Sequence, residues 1–525
     1  MRPVLAFALA ALITSPALAA DADGAKWWSH VETLAGPQFE GRLTGSPGYD
    51  KAAAYAAERF KAYGLQPAGT DGYLQPMKFT VQRILSDRSS AALVIDRQVE
   101  PLQVGPDILL GSRLPQPKAI EAPLVFIGYG LHLPEIGYDD FAGQDLKGKI
   151  AVYVNGGPSD ISAALKSHSR GSETWRAAQA AGAVGLIALP TPKSMDVPWE
   201  RQIANSSQPG MYPADLALRE VKGERFSASF NPAQAEKLFA RSGHSFAEVL
   251  ALADASKPIK GFDLKIGLKA QVAADVTEVA SSNVVAKLPG TDPKLKAEHV
   301  VITAHLDHLG LNTTGQGAPY YAGAMDNASG VASVLEIART LSESKAKPKR
   351  SILFVLVTGE EKGLLGSKYF AERPSVPAAS VVGNLNMDMA LPLWPLKSVI
   401  VLGVDESTLG DAARAAAAAQ GLEVVADPYP DRNSFIRSDQ YSFIRAGVPA
   451  LAFKFGFRAG TPEAQIEKTW RAERYHGLAD DLTQPVERAD AVKFNAYMAQ
   501  VAMQAADAPE RPTWKADSFF KRFAK

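Results

Sequence analysis

The sequence predicts an α/β protein, doubly wound around a mostly parallel sheet and interrupted by a β-rich insert. From about residue 276 to 507, short apolar strand runs alternate with amphipathic helices, which is the rhythm of βαβ units. Between about 105 and 275 that rhythm gives way to short β-rich runs separated by Gly/Pro turns. Several of the later strand runs end on His, Asp or Glu, where an open α/β sheet presents its binding crevice.

The chain has 525 residues, of which 46% are apolar and 21% charged, and Lys+Arg equals Asp+Glu at 56 each. That length has room for several domains, and the neutral balance offers no basic footprint for nucleic acid. There is no cysteine, so neither a thiolate ligand nor a disulfide is available; a chain of this size builds its core without them. Residues 1–20 read as a secretory signal peptide. Arg2 precedes the apolar run Val4–Ile13, and Ala17-Leu18-Ala19 is a small-x-small site that puts the cut after Ala19 or Ala20. The apolar run is shorter than the roughly 20 residues of a membrane span, and no Cys follows the cut to carry a lipid. These features place the mature protein in a periplasm or outside the cell, with no membrane span.

Residues 21–104 form the first part of the main domain. Trp27 and Trp28 read as buried packing, and Glu40-Gly41-Arg42 as a turn held by a local ion pair. A turn at Ser46-Pro47-Gly48 leads into a helix from Tyr49 to Tyr63, stopped by Gly64. In the insert, 105–275, APLVFIGYG and GKIAVYV read as strands, and WRAAQAAGAVGLIAL as a helix leading to a strand. Its histidines, His132, His168 and His244, are scattered and read as surface residues. From 276 to 507 the pattern predicts helices over Asn327–Leu341, Thr408–Gln420 and Val486–Ala506, one beginning at Leu364, and strands at Ser398–Gly403 and Gly447–Phe455. The tail, 508–525, mixes Pro, Lys, Arg and Phe and is expected to pack on the surface or stay mobile.

The chemistry gathers between His305 and Asp388, with a late partner at His476. The run Val300–Ala304 closes on His305-Leu306-Asp307; two residues apart at a strand end point the same way, so Asp307 is expected to hydrogen-bond the second nitrogen of a ligating His305. His308 points elsewhere in this scheme and is left out. Asp326 stands at a helix start, where an N-cap is its ordinary role; with two oxygens it also suits a bridge between two metals. In SILFVLVTGEE a seven-residue apolar strand opens, through Thr358-Gly359, onto Glu360 and Glu361. Adjacent side chains diverge, so Glu361 is assigned as a ligand and Glu360 as the general base. Asp388 and Tyr475-His476 complete a set of two His and three carboxylates, which suits zinc. His305 and Asp388 would serve one ion, Glu361 and His476 the other, with Asp326 shared.

These motifs, H-x-D, D-N-A-S-G, G-E-E-x-G-L-L-G-S, N-x-D and a late Y-H, resemble the two-zinc exopeptidases of the bacterial aminopeptidase and glutamate carboxypeptidase type. The resemblance covers roughly 30–95 and 276–500, with FEGRLTGSPG matching the amino-terminal segment. It implies the zinc exopeptidase fold, two Zn2+ held by His305, Asp326, Glu361, Asp388 and His476, and peptide substrates. It further implies Glu360 as base, Asp307 behind His305, Tyr475 as a hydroxyl for the oxyanion, and a cis peptide bond at Asp326–Asn327. The insert resembles a protease-associated domain, of the kind that shapes access to the site. One departure is Gln440 in SDQYSF, where many relatives have His. The implied activity is a zinc-dependent aminopeptidase. The alternatives are a carboxypeptidase or dipeptidase on the same scaffold, with Arg432 or Arg437 for the terminal carboxylate, then a glutaminyl cyclase, then a receptor-like protein without metal.

Overall fold

The computed structural model describes residues 16–525 except 116, 117, 196, 207 and 433. The expected signal peptide lies, up to residue 15, outside the described residues, and its cut falls within the first helix, Pro16–Leu34. No described helix is long and apolar enough to cross a membrane.

Among the described residues the main sheet has ten strands. Nine are labelled in chain order: β1 Leu74–Ile84, β2 Gly210–Pro213, β3 Ala274–Leu288, β4 His299–His305, β5 Ser351–Val357, β6 Val381–Met387, β7 Ser398–Leu402, β8 Glu423–Val425 and β9 Ala450–Phe455. Their order is β2-β1-β3-β5-β4-β6-β9-β7-β8, and the short strand Gln66–Pro67 pairs on β3. The centre, β5-β4-β6-β9, is parallel. The β2–β1, β1–β3, β3–β5 and β9–β7 pairs are antiparallel, so the sheet is more mixed than the expected mostly parallel one.

The central strands are buried on both faces, which explains their continuous apolar character. Val300, Ile302 and Ala304 of β4 face one core together with Ile352, Phe354 and Leu356 of β5. Val301, Leu353, Val355 and Val357 face the other. The first core is closed by residues of Pro16–Leu34, Ser329–Glu343 and Arg488–Asp507, Trp27 and Trp28 among them. The second is closed by Phe370, Phe443 and Ile444 from Leu365–Glu372 and Gln440–Arg445. Helices on both faces make the fold doubly wound, as expected.

The insert hangs on the end of a hairpin: Ile84, last in β1, pairs with Ala274, first in β3. A second sheet of eight strands fills the interval. It includes Ser90–Ile95 and Gln98–Leu102, so it begins before residue 105, the boundary the sequence suggests. An alternating apolar run marks a strand but not the sheet it joins. Conversely, β2 leaves the insert to extend the main sheet at β1.

Helix starts differ locally from expectation. Ser46 caps Pro47–Ala62, its side chain accepting from the Tyr49 N–H at 3.2 Å. The helix expected from Asn327 begins at Ser329, because Asp326 and Asn327 have non-helical backbones. The tail packs: Trp514 Nε1 donates to the Gly447 carbonyl at 3.2 Å, Phe520 is buried, and Arg522 pairs with Glu135 of the insert at 2.7 Å.

Candidate metal centre

The carboxyl ends of β4, β5 and β6 meet at one cleft. His305 is the last residue of β4, Asp388 follows β6 immediately, and Glu360 and Glu361 lie on the turn after β5. Asp326 enters from the loop before Ser329–Glu343, and His476 from the loop after Pro462–Glu473. His305 Nε2 lies 3.2 Å from Asp326 Oδ1 and 3.4 Å from Asp388 Oδ1. His476 Nε2 lies 3.3 Å from Asp326 Oδ2 and 3.1 Å from Glu361 Oε2. Five side chains drawn from some 170 positions therefore converge, and each imidazole faces two carboxylates. His305, Asp326 and Glu361 are buried, while Asp388 and His476 are half-buried at the cleft wall.

This set fits metal ions on its own chemistry. Three carboxylates packed together below the surface are costly unless a cation neutralises them, and Asp388 Oδ1 is buried without accepting any hydrogen bond. His305 Nδ1 donates to the Asp307 carbonyl oxygen at 3.1 Å, which leaves the Nε2 lone pair directed at the carboxylates.

Burial pushes the His305 and His476 imidazoles down, but the carboxylates around them outweigh it and hold both well above the usual range. The neighbouring acids separate. Burial drives Glu360 well above the usual carboxylate range; Glu361 is buried too, but His476 and His308 hold it well below. Two adjacent carboxyls in opposed environments suit opposed roles, a proton carrier and a ligand.

Asp307 departs from its expected contact: its carboxylate lies 4.0 Å from His305 Nδ1, and the backbone carbonyl makes the hydrogen bond instead. The carboxylate accepts from Thr44 Oγ1 at 3.0 Å and from the N–H groups of Glu360 and Glu361 at 3.1 and 3.3 Å. It thus anchors the turn that carries both acids. Tyr475 stacks on the His476 ring, centroids 4.0 Å apart, and lines the cleft. Gln440 is buried, accepting from Asn386 Nδ2 at 2.8 Å and donating to the Phe435 carbonyl at 2.8 Å, so it braces β6 from behind. The Asp326–Asn327 bond is cis, as the resemblance implies.

Three residues at the centre escape sequence reasoning. His308 does not point away: its Nδ1 lies 2.8 Å from Glu361 Oε1, and with Asp326 and Glu361 it forms a second metal-sized cluster beside His305, Asp326 and Asp388. The strict alternation of a strand ends at His305, so the direction of His308 cannot be counted from it. Asp480 accepts from the Met325 and Asp326 N–H groups, each at 3.0 Å; the paired acids Asp480-Asp481 just past His476 are its only sequence signal. Asp439, fully buried with both oxygens unpartnered, immediately precedes Gln440.

Arg42 also departs from expectation. In place of a local ion pair, its buried guanidinium donates to four backbone carbonyls: Leu306 at 3.0 Å, Leu34 at 2.6 Å, Ala322 at 2.8 Å and Gly323 at 3.0 Å. It ties the loops that carry Asp307 and Asp326. Of the insert histidines, His132 and His244 are exposed, whereas His168 lines the metal cleft with Nδ1 2.9 Å from the Tyr441 hydroxyl.

Residues 283–502, which carry all five converging side chains, match the pattern of Peptidase family M28. The matched segment contains β4 to β9 and the five converging side chains, and the insert lies wholly before it. Leupeptin-inactivating enzyme 1 of Streptomyces exfoliatus is 31% identical over 209 residues, 38% of this chain and 43% of that protein. A probable zinc metalloprotease of Pyrenophora tritici-repentis is 38% identical over 113 residues, 21% of this chain and 22% of that protein. The chain thus spans less than half the length of these curated relatives. The solved aminopeptidase from Aneurinibacillus sp. strain AM-1 superposes with a TM-score of 0.56 at 20% identity, over 94% of this chain and 97% of that one, which shows a shared fold.

Proposed function

We propose that this protein is a zinc-dependent exopeptidase, an aminopeptidase that hydrolyses the N-terminal peptide bond of peptides with two zinc ions at the cleft. One observation carries the reading: Asp326 presents one oxygen to His305, which also faces Asp388, and the other to His476, which also faces Glu361, two half-sites around one carboxylate. His305, Asp326 and Asp388 would hold one ion, and Asp326, Glu361 and His476 the other, with His308 orienting Glu361. Bound there, zinc supplies Lewis acidity to the scissile carbonyl and to water. Glu360, held at the cleft by the Asp307-anchored turn, takes the proton of the attacking water and passes it to the leaving amine. Tyr475 stands beside His476 to receive the developing oxyanion.

The insert supplies Ser167, His168 and Arg170 to the cleft wall, and its Arg201 donates to the Tyr475 carbonyl at 2.9 Å. Those contacts support reading it as a protease-associated domain that shapes access. The leader at Arg2 and Val4–Ile13 supports export. The test measures zinc per chain and hydrolysis of aminoacyl anilides against N-blocked dipeptides. Zinc-dependent cleavage of the anilides is expected; cleavage of the blocked dipeptides alone would make the enzyme a carboxypeptidase or dipeptidase.

A further inference from the structure

The metal cleft, about 440 Å³, continues past Asp388 into a recess of about 30 Å³, and Met389, Leu402, Lys454 and Arg471 line both. Much of the recess wall is apolar, including Trp394 and Phe457, and the recess itself has room for only a water-sized group, so a larger group reaching its mouth stays in the cleft. Its charges set it apart. Lys454 of β9, Arg432 and Arg471 bring three cations; Glu467 and Asp427 bring two anions. Glu467 is already shared, its Oε1 accepting from Arg432 Nη1 at 2.9 Å and from Arg471 Nε. Asp427 is turned to its own backbone, accepting from the Tyr429 N–H at 2.9 Å. Arg432 is further fixed over the Tyr429 ring, 4.1 Å from its centroid. Lys454 alone of these has no carboxylate within ion-pair distance among the described residues. Burial, then Arg471, lower its amine to about 8, so it remains mostly charged at neutral pH, with Asp388, Glu467 and Asp427 attracting it only from beyond ion-pair distance.

We propose that the cleft at the mouth of this recess receives the acidic side chain of an N-terminal Glu or Asp, its carboxylate meeting Lys454 with Arg432 and Arg471 beside it. Lys454 and Asp388 line the same cleft, so a side chain that reaches Lys454 leaves its own carbonyl on the metal-centre side. The inference rests on the aminopeptidase reading. A carboxylate could also come from a peptide C-terminus, and the substrates below separate the two sources.

The experiment compares kcat/KM of the zinc-loaded full chain on Glu-, Asp-, Leu- and Lys-anilides and on N-acetylated dipeptides with free C-termini. Glu- or Asp-anilide should exceed Leu-anilide, and Lys454→Met should lower the acidic-to-Leu ratio roughly 10- to 100-fold. The ratio reports on recognition, because a merely structural loss would lower all substrates together; zinc content of the variant is measured alongside. Leu preferred by the wild-type protein, with the ratio unmoved by Lys454→Met, overturns the inference and leaves the aminopeptidase reading standing. Cleavage of the acetylated dipeptides alone overturns it by assigning the carboxylate to the C-terminus. No zinc-dependent hydrolysis of any substrate overturns both.

Discussion

Asp326 divides its carboxylate between two histidines, Oδ1 3.2 Å from His305 Nε2 and Oδ2 3.3 Å from His476 Nε2. Its own N–H donates to Asp480 Oδ2 at 3.0 Å, so the acid that joins the two half-sites is itself aimed by a residue of the His476 loop. Asp326→Ala should lower zinc below one ion per chain and abolish turnover, read by metal analysis after dialysis. Full zinc occupancy in that variant would remove Asp326 from the bridge.

Asp480→Asn tests the aiming. The Asn cannot accept equally well from both N–H groups of Met325 and Asp326, so metal affinity should fall by roughly 10- to 100-fold with the fold retained. A competitive chelator titration reads this, and unchanged affinity would make Asp480 a packing residue only.

Glu360→Gln preserves shape and removes the proposed proton carrier. The rate should fall on the order of 100- to 10,000-fold while zinc content stays at the wild-type level. Substantial residual turnover would assign the base elsewhere.

Arg42→Met leaves four buried carbonyls without their donor. The zinc-saturated protein should lose about 3 kcal/mol or more in urea unfolding. A loss below about 1 kcal/mol would mean that water replaces the guanidinium.

His299, at the start of β4, is buried with Nδ1 2.9 Å from the Ser380 hydroxyl. Burial, then the nearby Lys287, lower it to about 4. The unfolded chain therefore binds a proton between roughly pH 6.5 and 4 that the folded chain refuses, and stability falls as pH drops through that window. His299→Gln should flatten the fall by on the order of 2 kcal/mol, seen as a smaller Tm difference between pH 7 and 4.5. Equal pH dependence in both proteins would assign the effect to other groups.

Much of the centre is legible because ligand-type residues stand at the ends of strand runs: His305 after β4, Glu360-Glu361 after β5, Asp388 after β6. Apolar period and termination are local properties, and local physics writes them into sequence. His308, Asp439 and Asp480 are not legible, since their directions are set where regular structure stops and counting no longer gives orientation. Arg42 misleads for a related reason: beside Glu40 it resembles a local pair, yet its partners are carbonyls up to 281 positions away. Lys454 sits in an unremarkable strand, and only the packing of β7 against β9 and the Arg432–Glu467–Arg471 cluster makes it the charge left over.

By itself, the sequence determined the alternation of strands and helices and the ligand-type residues at the strand ends, because these follow from side-chain chemistry and near-neighbour spacing. Tertiary structure alone decided which oxygen of Asp326 faces which histidine, that the insert begins by Ser90 and rides on a hairpin, and that Lys454 stands in the cleft with no carboxylate at ion-pair distance among the described residues. Those facts depend on distances between segments remote in the chain, which are set by how buried faces pack and not by any local preference.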